Sequence, residues 1–249
     1  MKKVLFAILF VVISGSIAMG QYQQGSWMFS GSGYSNLGGI KSETTIPNLQ
    51  GDMNRNWIFG DIIVSTRNAI FPVKNLAVGL DIQLDIEGKG WEPDGDNKDN
   101  YDKDYKEGDG TTHIFAGPLV RYYIPIGDVV ALFPEASLGF RNYTNIMYAE
   151  GEKAFIPGGS LEKYEQRIVT MANGFGFNLG AGIAFRLSEH FALDVTTRFG
   201  GGKIKGKTKD ESDYPSSAQY QKNPEMDTDI TFGTIDILIG FQIYIGGRD

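Results

Sequence analysis

Hydrophobic and polar residues alternate with a period of two along much of the chain, most plainly over residues 174–199. Phe175, Phe177, Leu179, Ala181, Ile183, Phe185 and Leu187 share one face, and Gly174, Gly176, Asn178, Gly180, Gly182, Ala184 and Arg186 share the other. After Ser188-Glu189-His190 the pattern resumes, with Phe191, Leu193, Val195, Thr197 and Phe199 opposite Ala192, Asp194, Thr196 and Arg198. Such alternation marks a strand lying between two environments, and a three-residue break between two such runs makes a hairpin. One face is continuously apolar, while the other mixes glycine with charge. A soluble sheet turns its polar face to water. A membrane barrel turns the apolar face to lipid and the small polar face inward.

The same reading predicts strands at 26–34, 56–66, 76–87, 112–124, 129–144 and 229–245, making eight with the hairpin. The run from Leu76 is the most regular: Leu76, Val78, Leu80, Ile82, Leu84 and Ile86 oppose Ala77, Gly79, Asp81, Gln83, Asp85 and Glu87. It is long enough to cross a bilayer at a tilt of about 45°. In the second strand the Asp61 face is set inward. Pro118 forfeits a ladder hydrogen bond, so a bulge or distortion is expected in the fourth strand. The connections alternate long and short: long at 35–55, 89–111, 145–169 and 200–227, short at 67–75, 125–128 and 188–190. The expected architecture is all-β: an eight-stranded antiparallel up-and-down transmembrane β-barrel with four long extracellular loops and three short periplasmic turns. Its interior would hold the acids Asp61, Asp81, Asp85, Glu87, Glu135, Asp194 and Asp236 against the bases Arg121, Arg141, Arg186 and Arg198. An eight-stranded barrel is just wide enough for such side chains to fill, so a salt-bridged plug is expected. A lipocalin-like soluble barrel around a ligand would need the opposite faces.

The start of the chain fits this class. Lys2 and Lys3 precede the apolar run Val4 to Ile13, and small residues follow at Ala18 and Gly20. This reads as a signal peptide over 1–20, with the barrel domain at 21–249. The apolar run is shorter than the roughly 20 residues of a spanning helix. Removing the two lysines takes the formal charge from −7 to −9, which argues against nucleic acid as a partner. The chain has no cysteine, so a lipidated cysteine, disulfides and thiolate metal sites are excluded. Many of its 33 glycines lie inside strand-like runs, where curvature and a crowded interior give them a use.

The segments LVRYYIPIGD (119–128), FPEASLGF (133–140), GFGFNLGAGIAFRLSEHFALDV (174–195) and IDILIGFQIYIG (235–246) resemble the small outer-membrane β-barrel family common in Bacteroidota. Its architecture is similar to that of the OmpA/OmpX-type eight-stranded barrels. The resemblance implies a cell outer-membrane location and insertion by the outer-membrane assembly machinery. That machinery reads a last strand with a glycine followed by alternating apolar residues, and Gly240, Ile243 and Ile245 fit. The chain departs from the pattern by ending Gly246-Gly247-Arg248-Asp249, without a terminal phenylalanine.

Several side-chain groups are candidates for chemistry. The stretch from Glu92 to Asp109 holds eight acids, and its Asp94, Asp96 and Asp99 are weak calcium candidates without EF-hand spacing; the plainer reading is a solvated loop. Lys203, Lys205, Lys207 and Lys209 alternate beyond the seventh strand. In register with Phe199 they would all face outward, where they could meet lipopolysaccharide phosphates. The alternative is a charged loop balanced by Asp210, Glu211 and Asp213. An enzyme would need a histidine beside an acid or serine near the outer rim. His190 falls in a periplasmic turn; His113 begins the fourth strand near Asp109. Trp27, Trp57, Tyr122, Tyr143, Phe191, Phe199 and Tyr244 fall near strand ends and suit interfacial girdles. The expected function is a monomeric, non-enzymatic outer-membrane barrel without cofactor, presenting loops for surface interaction or envelope integrity, with outer-membrane lipid and lipopolysaccharide as its surroundings. The alternative is a small porin or hydrophobic-solute channel; a lipid-modifying enzyme is a more distant one.

Overall fold

The computed structural model describes residues 22–45, 52–93, 103–153, 160–216 and 222–246; over 36–45, 52–59, 91–93, 103–105 and at 153 it describes the backbone alone. The expected leader at 1–20 and the calcium candidates Asp94, Asp96 and Asp99 lie outside the described residues.

The strands are β1 (Trp27–Thr45), β2 (Asp52–Val73), β3 (Leu76–Pro93), β4 (Lys103–Tyr122), β5 (Ile124–Ile126), β6 (Val130–Lys153), β7 (Glu162–Arg186), β8 (Phe191–Asp210) and β9 (Met226–Ile245). Their order in the sheet is β4-β3-β2-β1-β9-β8-β7-β6-β5, and a β4–β6 pairing closes the ring. β5 is three residues long and continues the line of β4 after Tyr123 along the edge of β6. The barrel therefore has eight staves, all antiparallel, as the alternation predicts.

Two expectations need correction. Strand runs far into all four connections read as long loops, covering 35–45, 89–93, 103–111, 145–153, 162–169 and 200–210. β7 alone runs 25 residues, which at about 3.3 Å per residue and a tilt near 40° rises roughly 60 Å. The apolar stripe ends far sooner, for example after the eleven residues from Leu76 to Ile86 on β3, or about 28 Å by the same geometry. Beyond it the outward positions turn polar while the backbone ladder continues. The second correction is at 67–75, read as a short turn. β2 in fact continues to Val73, and the turn is Lys74-Asn75, with Asn75 at φ 66°. Arg67, Ala69 and Phe71 extend the inward face that begins with Asp61, Ile63 and Ser65, and Arg67 and Phe71 are wholly buried.

The faces otherwise fall as expected. Leu80, Ile82, Leu84, Val120, Leu138, Phe175, Leu179, Ile237 and Ile239 stand exposed on the outside, while Asp81, Arg121, Glu135, Arg141, Asp194 and Arg198 are buried inside. At Pro118 there is no bulge. The β4–β6 ladder omits Gly117 and Pro118, then resumes in unchanged register from Ala116–Phe140 to Leu119–Ser137. Glycine is needed there for a close approach. A Cβ on Gly117 would lie 2.3 Å from the Leu138 carbonyl oxygen, and one on Gly139 would lie 2.2 Å from that of Ala116. Register also runs unbroken through Gly200-Gly201-Gly202.

Candidate functional site

The inward side chains stack in layers. At the periplasmic end Met28, Ala69, Phe71, Tyr123, Phe133 and Tyr244 form a buried cluster, with Tyr22 packed against it. The Tyr22 ring stacks on Tyr123 at 4.2 Å and meets Tyr244 edge-on at 5.7 Å. Burial there raises the Tyr22 phenol above its ordinary pKa, and the neighbouring Tyr123 adds to the shift. Tyr244 and the half-buried Tyr143 thus belong to the interior, not to a girdle. Trp27 and Tyr122 do face outward at the periplasmic end of the belt, and Phe199 faces outward at its upper end; nothing is described of the Trp57 side chain.

Above this cluster lies a charged layer. Arg121 donates from Nε and Nη2 to Glu135 Oε2 at 3.0 and 2.5 Å, and its Nη1 lies 3.5 Å from Asp194 Oδ2. Arg67 reaches the other Glu135 oxygen at 3.3 Å and Asp81 at 3.7 Å. Asp81 also accepts from Ser65, Ser137 and Asn178 at 3.2, 2.8 and 3.2 Å. Asp194 accepts from Gln242 at 2.5 Å, and Tyr123 donates to Gln242 Oε1 at 2.9 Å. The Arg121 guanidinium covers the Phe133 ring at 4.1 Å. Both arginine side chains have no exposed surface. Ionised groups persist in such a place only when paired and hydrogen-bonded on several sides. The layer crosses the barrel from β2 and β3 through β4, β6 and β7 to β8 and β9, and so fills its section.

A looser upper layer follows. Arg198 donates to Asp236 at 3.2 Å, and Arg141 donates to Asn178 at 3.2 Å while covering Phe232 at 4.5 Å. Asp61, Asp85 and Glu87 face this layer from β2 and β3. Of the interior residues expected from the sequence, the structure joins Asp81, Arg121, Glu135 and Asp194 in one network, and Arg198 with Asp236 in a second. Arg186 belongs to neither, lying instead at the periplasmic mouth in a recess lined by Tyr22, Lys74 and Asn75. Sequence reading missed Arg67, since Asn68, Pro72 and Asn75 resemble turn chemistry. The unbroken parity of Asp61, Ile63, Ser65, Arg67, Ala69 and Phe71 is the signal that could have found it. Asn178 and Gln242 carry no charge and gave no signal.

His113 is not joined to Asp109: its cross-strand neighbour on β3 is Asp85, and among the described residues it forms no ion pair to an acid. Its ring lies between Tyr143 at 4.8 Å and Phe232 at 6.4 Å, with Nδ1 buried and unpartnered. Asp109 is instead engaged by Asn145 and by Lys89 at 3.4 Å. Among the described residues no group of three His, Asp or Glu could hold a metal ion. Lys203, Lys205, Lys207 and Lys209 do share the exposed outer face of β8. Three of them are met by acids: Lys205 by Asp229 at 3.7 Å, Lys207 by Glu225, and Lys209 by Glu225 at 3.2 Å.

No protein-family model matches the chain, and no curated protein matches it. Among solved structures it is similar to the outer membrane protein OprG from Pseudomonas aeruginosa, at TM-score 0.48 and 12% identity over 90% of this chain and 98% of that one. It is also similar to the solid-state NMR structure of the outer membrane protein AlkL in lipid bilayers, at TM-score 0.38 and 12% identity over 92% and 94%. A third is Ail, the attachment invasion locus protein of Yersinia pestis, solved with the heparin analogue sucrose octasulfate, at TM-score 0.34 and 12% identity over 90% and 100%. Likenesses this distant carry no argument about function. The chain's own surface does: a ring of eight antiparallel staves, its outward apolar stripe about as tall as a bilayer's hydrocarbon and its charge inside, suits a crossing by strands. The chain folds as an eight-stranded β-barrel of the membrane-spanning kind. No helix among the described residues is long and apolar enough to cross a membrane.

Proposed function

We propose that this barrel is a sealed, non-enzymatic, monomeric scaffold whose function lies in what it holds above the membrane, for surface interaction or envelope integrity. The observation that carries this reading is the pairing of a filled section at Arg67, Arg121 and Glu135 with strands that run far past the apolar belt. The plug suits a support better than a conduit, and the described strands carry the wall well clear of the lipid. Lys203, at the top of the belt beside Phe175, is the lysine of the outer row best placed for a lipopolysaccharide phosphate, since no acid bridges it among the described residues. Insertion by the outer-membrane assembly machinery through the β9 pattern, and kinship with the Bacteroidota small barrels, belong to the same reading. Single-channel recording in planar bilayers tests it. A sealed scaffold gives no stable conductance; regular open steps would replace the scaffold with the channel.

A further inference from the structure

The wall is closed unequally. β1 and β9 are joined by only seven residue pairs, from Trp27–Ile245 up to Gly33–Ile239. Above that point β1 continues against β2 and β9 continues against β8, but they no longer pair with each other. The zipper stops while β9 is still in the apolar belt, where Ile235, Ile237 and Ile239 are 76%, 62% and 67% exposed. Tyr34 falls by parity on the inward face, yet is 42% exposed because no wall stands beside it. A cleft of about 650 Å³ opens there, lined by Tyr34, Asp61, Ile63, Ile235, Asp236 and Ile237. The backbone edges that flank it lack ladder partners at a depth where unsatisfied N–H and C=O groups are costly.

The two sides of this slit differ in chemistry. On the lipid side stand the isoleucines of β9. On the inner side stand carboxyls. Asp61 and Asp85 lie against each other and share a side-chain hydrogen bond, while Asp61 Oδ1 is buried without a partner. Asp236 is held by Arg198, and Arg141 is turned to Asn178 and Phe232. Among the described residues no Lys or Arg forms a salt bridge with Asp61 or Asp85; Arg141 lies within charge range of Asp85 and Asp236, so three carboxyls, Asp61, Asp85 and Asp236, face the two guanidiniums of Arg141 and Arg198. The slit ends blindly below. At the top of the zipped pairs, a Cβ on Gly240 would lie 2.6 Å from both Asp194 Oδ1 and Ser32 Cβ, and the charged layer fills the space beneath.

We propose that the slit binds a cationic amphiphile of the primary-amine class. The ammonium enters between β1 and β9 to reach Asp61, and the alkyl chain stays in the membrane along Ile235, Ile237 and Ile239. An ammonium has three donors, which suit one carboxylate oxygen and the unpaired backbone carbonyls of the edges together. A fatty acid is repelled by the same carboxyls, and a fatty alcohol lacks the charge. Because the slit is blind, it is a docking site and not a route across the membrane, and its occupancy is read independently of conductance.

Labelled dodecylamine, dodecanol and dodecanoate are titrated onto the barrel in zwitterionic nanodiscs, with empty nanodiscs as background. Dodecylamine should bind saturably with one site, and the other two should remain at background. Asp61→Asn should weaken the amine by about tenfold or more, the size expected for losing a charge-assisted bond. Asp229→Asn, which removes an outer-wall carboxylate, should leave it unchanged. The gel shift on boiling reports that each variant is folded. If Asp61→Asn does not fold, Ile237→Trp, which fills the slit from the lipid side, is read the same way. Equal uptake of amine and alcohol, or an unweakened folded variant, would overturn the proposal.

Discussion

Glu135→Gln is the sharpest test of the plug. The substitution preserves shape and volume, so any cost comes from charge and hydrogen bonding. Glu135 holds Arg121 through contacts of 3.0 and 2.5 Å and Arg67 at 3.3 Å, with its side chain 4% exposed. After the change Arg67 retains Asp81 at 3.7 Å and Arg121 retains Asp194 at 3.5 Å. Both are long, and the new amide points a donor at one guanidinium. Removing one partner of a buried ion pair costs about 3–5 kcal/mol. The surviving aspartates hold the expected loss to about 3 kcal/mol, near the low end of that range. Urea unfolding in lipid vesicles, followed by tryptophan fluorescence, measures it as a lowered midpoint at unchanged slope. Glu150→Gln is the internal control: Glu150 meets Lys106 at 3.8 Å with both side chains about half exposed, and such surface pairs contribute about 0–1 kcal/mol. If Glu135→Gln costs no more than the control, water already screens the interior charges and the plug is not sealed.

Two further outcomes follow from the belt and the outer wall. Leu80 is 54% exposed near the middle of the β3 stripe, so Leu80→Arg should destabilise by about 2–4 kcal/mol in vesicles; a change within about 0.5 kcal/mol, as on a water-facing surface, would refute the lipid-facing assignment. Glu225 is held below the usual carboxylate range by hydrogen bonds from Lys207 and Lys209, and Lys207 is raised by the same contact. The Glu225 contribution is therefore present above the ordinary carboxyl value of about 4.3 and lost as pH falls through its lower folded value, whereas that of Lys207 is present below about 10.4 and lost at higher pH. Carbon-13 titration of the Glu225 carboxyl should give a midpoint below 4.3, and a midpoint at or above the ordinary value would remove the clamp.

What the sequence makes legible is governed by the solvent on each side. Where lipid covers the outside, as from Leu76 to Ile86 or Ile235 to Ile245, contrast between the two faces is strong and each residue's side can be read directly. Above the lipid both faces are polar, and the contrast vanishes while the backbone ladder goes on. Hence Lys203, Lys205, Lys207 and Lys209 could be given a face but not a strand. On β2 the outward Thr66 and Asn68 break the stripe inside the belt, and Arg67 was lost with them. The partners within the interior were also out of reach. Period two puts Arg121 and Glu135 on one side, but only the register of β4 on β6, which pairs those two residues, makes them partners. That His113 turns to Tyr143 and Phe232 rather than to Asp109 depends on staves far apart in the chain.

The seven-pair junction also bears on the order of assembly. Every other stave meets its neighbour through a hairpin, so those contacts close short loops of chain. The β1–β9 contact brings Trp27 to Ile245, across nearly the whole chain. Loop-closure entropy grows with the logarithm of chain length, and non-local pairings are slow to form. The longest closure in the ring is thus secured by its shortest ladder. Entropy therefore favours hairpin pairing ahead of closure, and the β1–β9 junction is the least-paired seam between staves.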